Sequence, residues 1–201
     1  MASTDKDLKA VARIRNAALE GFALRGVEAT SIRDIASAAG VSSGLIQHHF
    51  RTKSGLRDAV DAHVLAIAAD AIEAFDLDRP ADQLLIEIGD RITEFVRDYP
   101  LVLLYVTRSA AAGEESGIRM FGSLLAVIRT QVARLVDEGV LAADVDQLWT
   151  AIHLLTINLG VVMLEPAIEA QLEDRFRAPE QLQRWNLATQ RLFGEGLMRR
   201  D

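Results

Sequence analysis

Apolar residues return every three or four positions along almost the whole chain, the spacing of one buried helix face, and alternating β-branched runs are absent. Val11, Ile14, Ala18 and Phe22 predict a first helix from about Leu8 to Arg25, closed by Gly26. After a short Val27–Thr30 link, Ser31 to Phe50 reads as two short helices joined by a turn at Gly40. Ser31 with Asp34 is a capping-box-like start, with the carboxylate at the positive end of the helix dipole. Ile35, Ala36, Ala39, Val41 and Ile46 supply the inward apolar set. Small Ala36 lets the two helices cross closely, and Gly40 takes the positive φ that ends the first of them. Ser42 suits the N-cap of the second, which stops at Phe50. The pattern is a helix-turn-helix, the device by which a small domain presents one helix to the DNA major groove.

Beyond it, Thr52 or Ser54 caps a long fourth helix expected to reach about Phe75, where Asp76–Pro80 breaks the pattern. Further helices are expected up to Asp98, from Leu101 to about Ala112, and from Glu114 to Gly139. Another runs from Asp144 to about Leu172, and a last one opens at Pro179 and runs towards Gly194 or beyond. The class is therefore all-α with about nine helices: a three-helix helix-turn-helix domain at residues 1–53 and a helical domain at 54–201. Leu148–Leu164 is uncharged for 17 residues, near the length of a membrane span, but it holds His153, Asn158 and two threonines and runs into Glu165-Pro166. It reads as a buried helix, with no membrane role. Leu182, Trp185, Thr189, Leu192 and Gly196 follow at spacings of three and four, a seam that two helices bury against a second pair. A homodimer through the last two helices is expected.

Charge sharpens this division. The chain has 201 residues and a net charge of −7, which looks wrong for a DNA binder until the two parts are separated. Residues 1–53 carry three Lys and five Arg against five acidic residues, a net +3, while the remainder carries 14 basic against 24 acidic residues, a net −10. A basic head on an acidic body turns the head towards phosphate. The absence of cysteine removes disulfides, thiolate zinc sites and Cys nucleophiles, and suits a reducing compartment. The N-terminus lacks the basic-then-apolar pattern of a secretory signal, so a cytoplasmic protein is expected, at the nucleoid when bound to DNA. No Gly-rich phosphate loop follows a strand, and neither His-Glu-x-x-His nor a serine nucleophile elbow is present. An enzyme is not expected, and no cofactor is implied.

The stretch from Ile14 to about Val60 resembles the TetR/AcrR family of bacterial transcriptional regulators. The resemblance rests on Phe22 and Arg25-Gly26, Thr30 and Ser31, Ile35-Ala36, Ala39-Gly40-Val41-Ser42, His49-Phe50, and Lys53 with Leu56. The rest matches in architecture, as a helical acidic body. The resemblance implies a homodimer on a palindromic double-stranded operator, with a small-molecule effector bound in the C-terminal domain and repression relieved when it arrives. An effector-independent architectural protein or activator is the alternative. One position departs from the pattern: Gln47 stands where family members usually carry an aromatic residue, commonly Tyr.

On this reading Ser42, Ser43 and Gly44 offer amides to a phosphate at the start of the recognition helix. Leu45 either meets a thymine methyl or packs, and Gln47 donates to phosphate or pairs with adenine. His48 faces the groove and His49 donates to a phosphate; neighbouring helical residues diverge by about 100°, so the two histidines do not suggest a metal site. Thr30, Ser31 and Arg33 are expected on the backbone from the other helix, and Lys53 from the start of the fourth. Lys6 and Lys9 form either an arm over the DNA or a solvated terminus. For the effector, the polar or large residues embedded in apolar helices are Tyr105, Arg108, Phe121, Trp149, His153, Asn158 and Met163. Each also reads as a satisfied residue of a core or dimer interface.

Overall fold

A computed structural model describes residues 2–72 and 81–197. The expected end of the fourth helix at Phe75 and the break at Asp76–Pro80 lie outside the described residues. Among those described, ten helices and no strand make up the regular structure. They are α1 (Ala2–Arg25), α2 (Ile32–Ala39), α3 (Ser43–Phe50), α4 (Lys53–Ile72) and α5 (Ala81–Asp98), followed by α6 (Pro100–Ala111), α7 (Glu115–Asp137), α8 (Gln147–Met163), α9 (Glu165–Glu169) and α10 (Pro179–Leu197).

The tenth helix arises where one long helix is expected between Asp144 and Leu172. Asp146, not Asp144, caps α8, its carboxylate accepting the Leu148 and Trp149 amides at 3.0 Å. Proline has no N–H to offer and its ring crowds the preceding turn, so Pro166 stops α8 and restarts the chain as short α9. The Glu165 carboxylate then accepts from the Arg177 guanidinium, with Nε at 2.9 Å, and Glu169 accepts the Phe176 amide at 2.9 Å. These contacts fold the 170–178 return against the helix before α10 begins.

One apolar core joins the head to the body. Ile14, Phe22, Ile35, Ile46, Leu56 and Val60 from the first four helices are all at most 1% exposed and continuous with Val96, Tyr105, Val106 and Met120. Phe22 stacks near Tyr105 with ring centroids 6.3 Å apart. A smaller cluster of Leu84, Val132, Leu135, Val140, Leu141 and Ala151 fills the far end. Gly117 permits the close packing of α7 on α6, because a Cβ there would sit 2.2 Å from the Ser109 carbonyl carbon.

The seam expected along the last helix is divided by this packing. Leu182 is buried and Trp185 packs edge-on against Phe176, so both serve the protomer's own core. Asn186 reaches Asp90 of α5, its Nδ2 donating at 2.8 Å, while Leu187 and Leu192 face outward. Side chains near Gly196 lie outside the described residues. On α8, Trp149, His153, Thr156, Met163 and Leu164 share an exposed face, where burial was expected on most sides. No helix among the described residues is long and apolar enough to cross a membrane.

Candidate DNA-reading helix and internal cavity

The geometry of the head starts with its caps. Ser31 Oγ accepts the Asp34 amide at 3.1 Å, and the Asp34 carboxylate accepts the Ser31 amide at 2.9 Å, closing the box that starts α2. The Ser31 hydroxyl, donating to the same carboxylate at 2.7 Å, and the Ser31 amide hold the Asp34 carboxyl below its ordinary range. At the other end Gly40 adopts φ 63° and ψ 43°, with its amide on Ser37 O and the Val41 amide on Ala36 O. That paired closure reverses the chain in one residue. Ser42 Oγ then accepts the Leu45 amide at 3.2 Å and starts α3.

Ile46 anchors α3, being 1% exposed, while Ser42, Gly44, Gln47 and His48 are exposed on its other side. Ser43 and Leu45 are half-buried, and Ser31 and Arg33 are exposed on α2 and its cap. The chain turns out of α3 tightly. Arg51 has φ 63° and ψ −53°, and the Thr52 amide donates to Phe50 O at 2.7 Å, a γ-turn. Thr52 Oγ1 accepts the Gly55 amide at 3.0 Å and so caps α4, the first of the two residues expected to do so.

Two residues expected on DNA, Thr30 and His49, are placed differently. Thr30 is fully buried, and its hydroxyl donates to Gly21 O at 3.0 Å and to Gly26 O at 2.8 Å. It ties down the end of α1 because the left-handed Gly26 (φ 89°) folds the link back over that helix, leaving no hydroxyl for phosphate. The His49 side chain is 13% exposed and points at Asp7 of α1, with Nε2 3.2 Å from the carboxylate. Nε2 is buried there without a hydrogen bond, so this edge of the ring is turned to α1 and away from solvent. Lys53 is half-buried, its Nζ 3.4 Å from Glu28 O, so it stands at the head's edge with a contact in the α1–α2 link. Lys9 is exposed on α1, and the side chain of Lys6 lies outside the described residues.

The body contains a cavity of about 150 Å³ between α4, α5, α6, α7 and α8. Ala68, Ile92, Phe95, Val106, Ile128 and Leu155 are among its walls, which among the described residues are apolar apart from Arg91, Gln131 and Asn158. Arg91 lies 3.4 Å from Glu87 one turn earlier on α5. Asn158 Nδ2 donates to Leu154 O at 2.6 Å, while its Oδ1 is buried without a hydrogen-bond partner.

Of the seven residues expected to line an effector site, Asn158 alone is in this wall. Trp149, His153 and Met163 lie on the exposed face of α8, and Phe121 packs half-buried against the core. Tyr105 is buried, donating to Asp61 Oδ1 of α4 at 2.6 Å. Burial, reinforced by that carboxylate, pushes the phenol well above its ordinary pKa, and burial also raises the Asp61 carboxyl. Arg108 donates to Leu24 O at 2.9 Å and Ala23 O at 3.3 Å, satisfying carbonyls at the end of α1. Arg57 of α4 pairs with Glu114 in the α6–α7 turn. The missed lining residues share a legible mark. Gln131 interrupts the stripe Leu124, Ile128, Leu135, and Arg91 interrupts Leu84, Ile88, Phe95, each a polar residue on an inward helical face.

Comparison with known proteins places this geometry. Residues 14–60 match the family described as bacterial regulatory proteins, tetR family. The chain is 34% identical over 140 residues to the HTH-type transcriptional regulatory protein RaaS of Mycobacterium tuberculosis, an alignment covering 69% of this chain and 61% of that protein. It is 51% identical over 39 residues to the HTH-type transcriptional repressor KstR2 of Rhodococcus jostii, covering 19% of each. The chain thus spans less than two thirds of the length of these relatives. The structure of the ketosteroid transcriptional regulator KstR2 of Mycobacterium tuberculosis superposes with a TM-score of 0.65 at 18% identity, covering 94% of this chain and 95% of that one. A capped recognition helix inside the matched segment, the aligned regulators and a shared all-helical fold give one conclusion: the chain belongs to the TetR family of transcriptional regulators.

Proposed function

We propose that the protein is a ligand-responsive repressor that binds a palindromic operator as a homodimer and releases it when a small molecule fills the cavity in its body. The observation that carries this reading is the span of α4. Gly55 and Leu56 at its start lie under α3, and Ala68 and Ala71 near its end wall the cavity. Twenty residues of helix are about 30 Å long, so a tilt of roughly 5° at one end moves the other by about 2.6 Å. Two half-sites lie about 34 Å apart along DNA, and a shift of that size in each protomer spoils their match to successive grooves. The exposed apolar face of α8, with Leu187 and Leu192 of α10, supplies the surface for pairing.

Helix α6 is the natural carrier of the signal. Val102, Leu103 and Val106 touch the cavity, while Tyr105 and Arg108 on the same helix bind Asp61 of α4 and the end of α1. A ligand that displaces α6 acts on both attachments of the head. Coupling of about 1–3 kcal/mol changes operator affinity by about 5–150-fold. On the DNA side, Ser42, Ser43 and Gly44 hold phosphate and Gln47 and His48 reach base edges. The relatives named as repressors support the direction of control. Selection of bound duplexes from a random pool tests the whole: two-fold symmetric sites bound by a dimer are expected. A monomer indifferent to every duplex at low ionic strength refutes it, and an operator complex that no cavity ligand weakens refutes the ligand response.

A further inference from the structure

We infer that the cavity takes a neutral molecule of about one hydrocarbon ring in bulk carrying a single hydroxyl group, and that Asn158 is the residue that recognises it. This rests on the reading of the cavity as an effector site and names the class of effector. Size sets the first limit. An apolar space of about 150 Å³ matches a molecule on the scale of benzene, and a fused polycyclic ligand would extend beyond it.

Charge sets the second. Among the described residues Arg91 is the one cationic group in the wall, and it is matched by Glu87 on its own helix, so the pair presents no net charge for a ligand to neutralise. A carboxylate or ammonium entering this apolar space loses its hydration without a counter-charge in return, which excludes both.

Asn158 sets the third. Its amide orientation follows from Nδ2 donating to the Leu154 carbonyl, because the reversed group would set two oxygens against each other. Oδ1 is then a buried acceptor with no partner among the described residues, which a native interior seldom tolerates. An acceptor is satisfied by a donor. A ligand hydroxyl placed against Asn158, reached by a small rotation of the carboxamide, completes it, whereas an ether or a bare hydrocarbon leaves it as it is. Gln131 on the facing α7 offers a second amide to the hydroxyl oxygen.

The test uses three one-ring probes that differ stepwise by one heavy atom, toluene, 4-methylphenol and 4-methylanisole, titrated into the whole 201-residue chain by calorimetry. The phenol should bind about three- to ten-fold more tightly than its methyl ether, the worth of one hydrogen bond. Asn158→Leu, which removes the acceptor at similar volume, should abolish that preference while toluene still binds; Asn158→Gln reports on the same preference should the leucine variant fail to fold. Equal affinity of wild-type protein for phenol and ether, or no binding of any probe at millimolar concentration, overturns the inference. A parallel operator titration separates the two readings. Selective phenol binding that leaves DNA affinity unchanged supports this assignment and refutes the ligand-released repressor, whereas operator release by toluene and ether as readily as by phenol does the reverse.

Discussion

Gly55→Ala is the substitution whose outcome the junction of α3 and α4 decides. A Cβ at Gly55 would lie 2.4 Å from the carbonyl oxygen of Phe50 and 3.5 Å from its carbonyl carbon. Carbon and oxygen approach comfortably to about 3.3 Å, so the end of α3 and the start of α4 must part by roughly 1 Å. The obstacle is backbone, and the same Phe50 carbonyl already accepts the Thr52 amide in the turn at Arg51, so it has little room to swing aside. Overpacking of this kind costs about 1–3 kcal/mol, against about 0.5–1 kcal/mol gained by replacing a helical glycine. A net loss near 1 kcal/mol lowers the thermal midpoint of a chain this size by about 2–4 °C. The effect on DNA should be larger. A recognition helix displaced by about 1 Å loses at least one base contact worth about 1–3 kcal/mol, or five- to 150-fold in specific affinity. Calorimetry measures the first effect and fluorescence anisotropy on a selected duplex the second. Gly122→Ala is the control: it is exposed on α7, a Cβ there meets nothing within 4 Å, and the same replacement should raise the midpoint. A Gly55→Ala protein as stable as the control, with operator affinity intact, would refute the reasoning.

Other perturbations follow from the same geometry. Ser31→Ala removes the box at the start of α2 and should cost about 1 kcal/mol, read as a midpoint lower by about 2–4 °C. Burial, with help from Arg15, holds the His63 imidazole below its ordinary pKa of 6.5, so the folded chain prefers the neutral ring. The unfolded chain then takes up the proton first, and stability present above 6.5 declines as pH falls towards the lower folded value. His63→Gln should flatten the midpoint between about pH 7.5 and 5, and an unchanged profile would show that the ring carries none of that dependence. Lys53→Ala should weaken all duplexes alike and lower the slope of log affinity against log salt by about one. Gln47→Ala, in contrast, should relax preference at a single base pair, which a panel of single-position operator variants would reveal; equal loss on every variant would assign Gln47 to the phosphate backbone.

Much of the head was legible from residue types alone, because its determinants are local. Ser31 with Asp34, Gly40 and Ser42 act within four residues of themselves, so capping chemistry and a required positive φ can be read without knowing what packs where. The all-helical class follows in the same way from apolar spacing. Thr30, His49 and Arg108 were misplaced for the opposite reason. Their partners Gly21 O, Asp7 and Leu24 O are 9, 42 and 84 residues away, and although Thr30 also reaches Gly26 O within one turn, its burial follows from the packing of the link on α1. The cavity draws its wall from five helices, so its membership is a property of their crossing rather than of any one of them. The amphipathic period of α8 is weak, and only packing decided that Trp149, His153 and Met163 face outward while Asn158 faces in. The sequence by itself thus determined the all-helical class, the caps of α2 and α3 and the DNA-reading unit, since those depend on short-range sterics and hydrogen bonding. Tertiary structure alone decided which polar groups meet, because side chains distant in the chain become neighbours only when the helices pack.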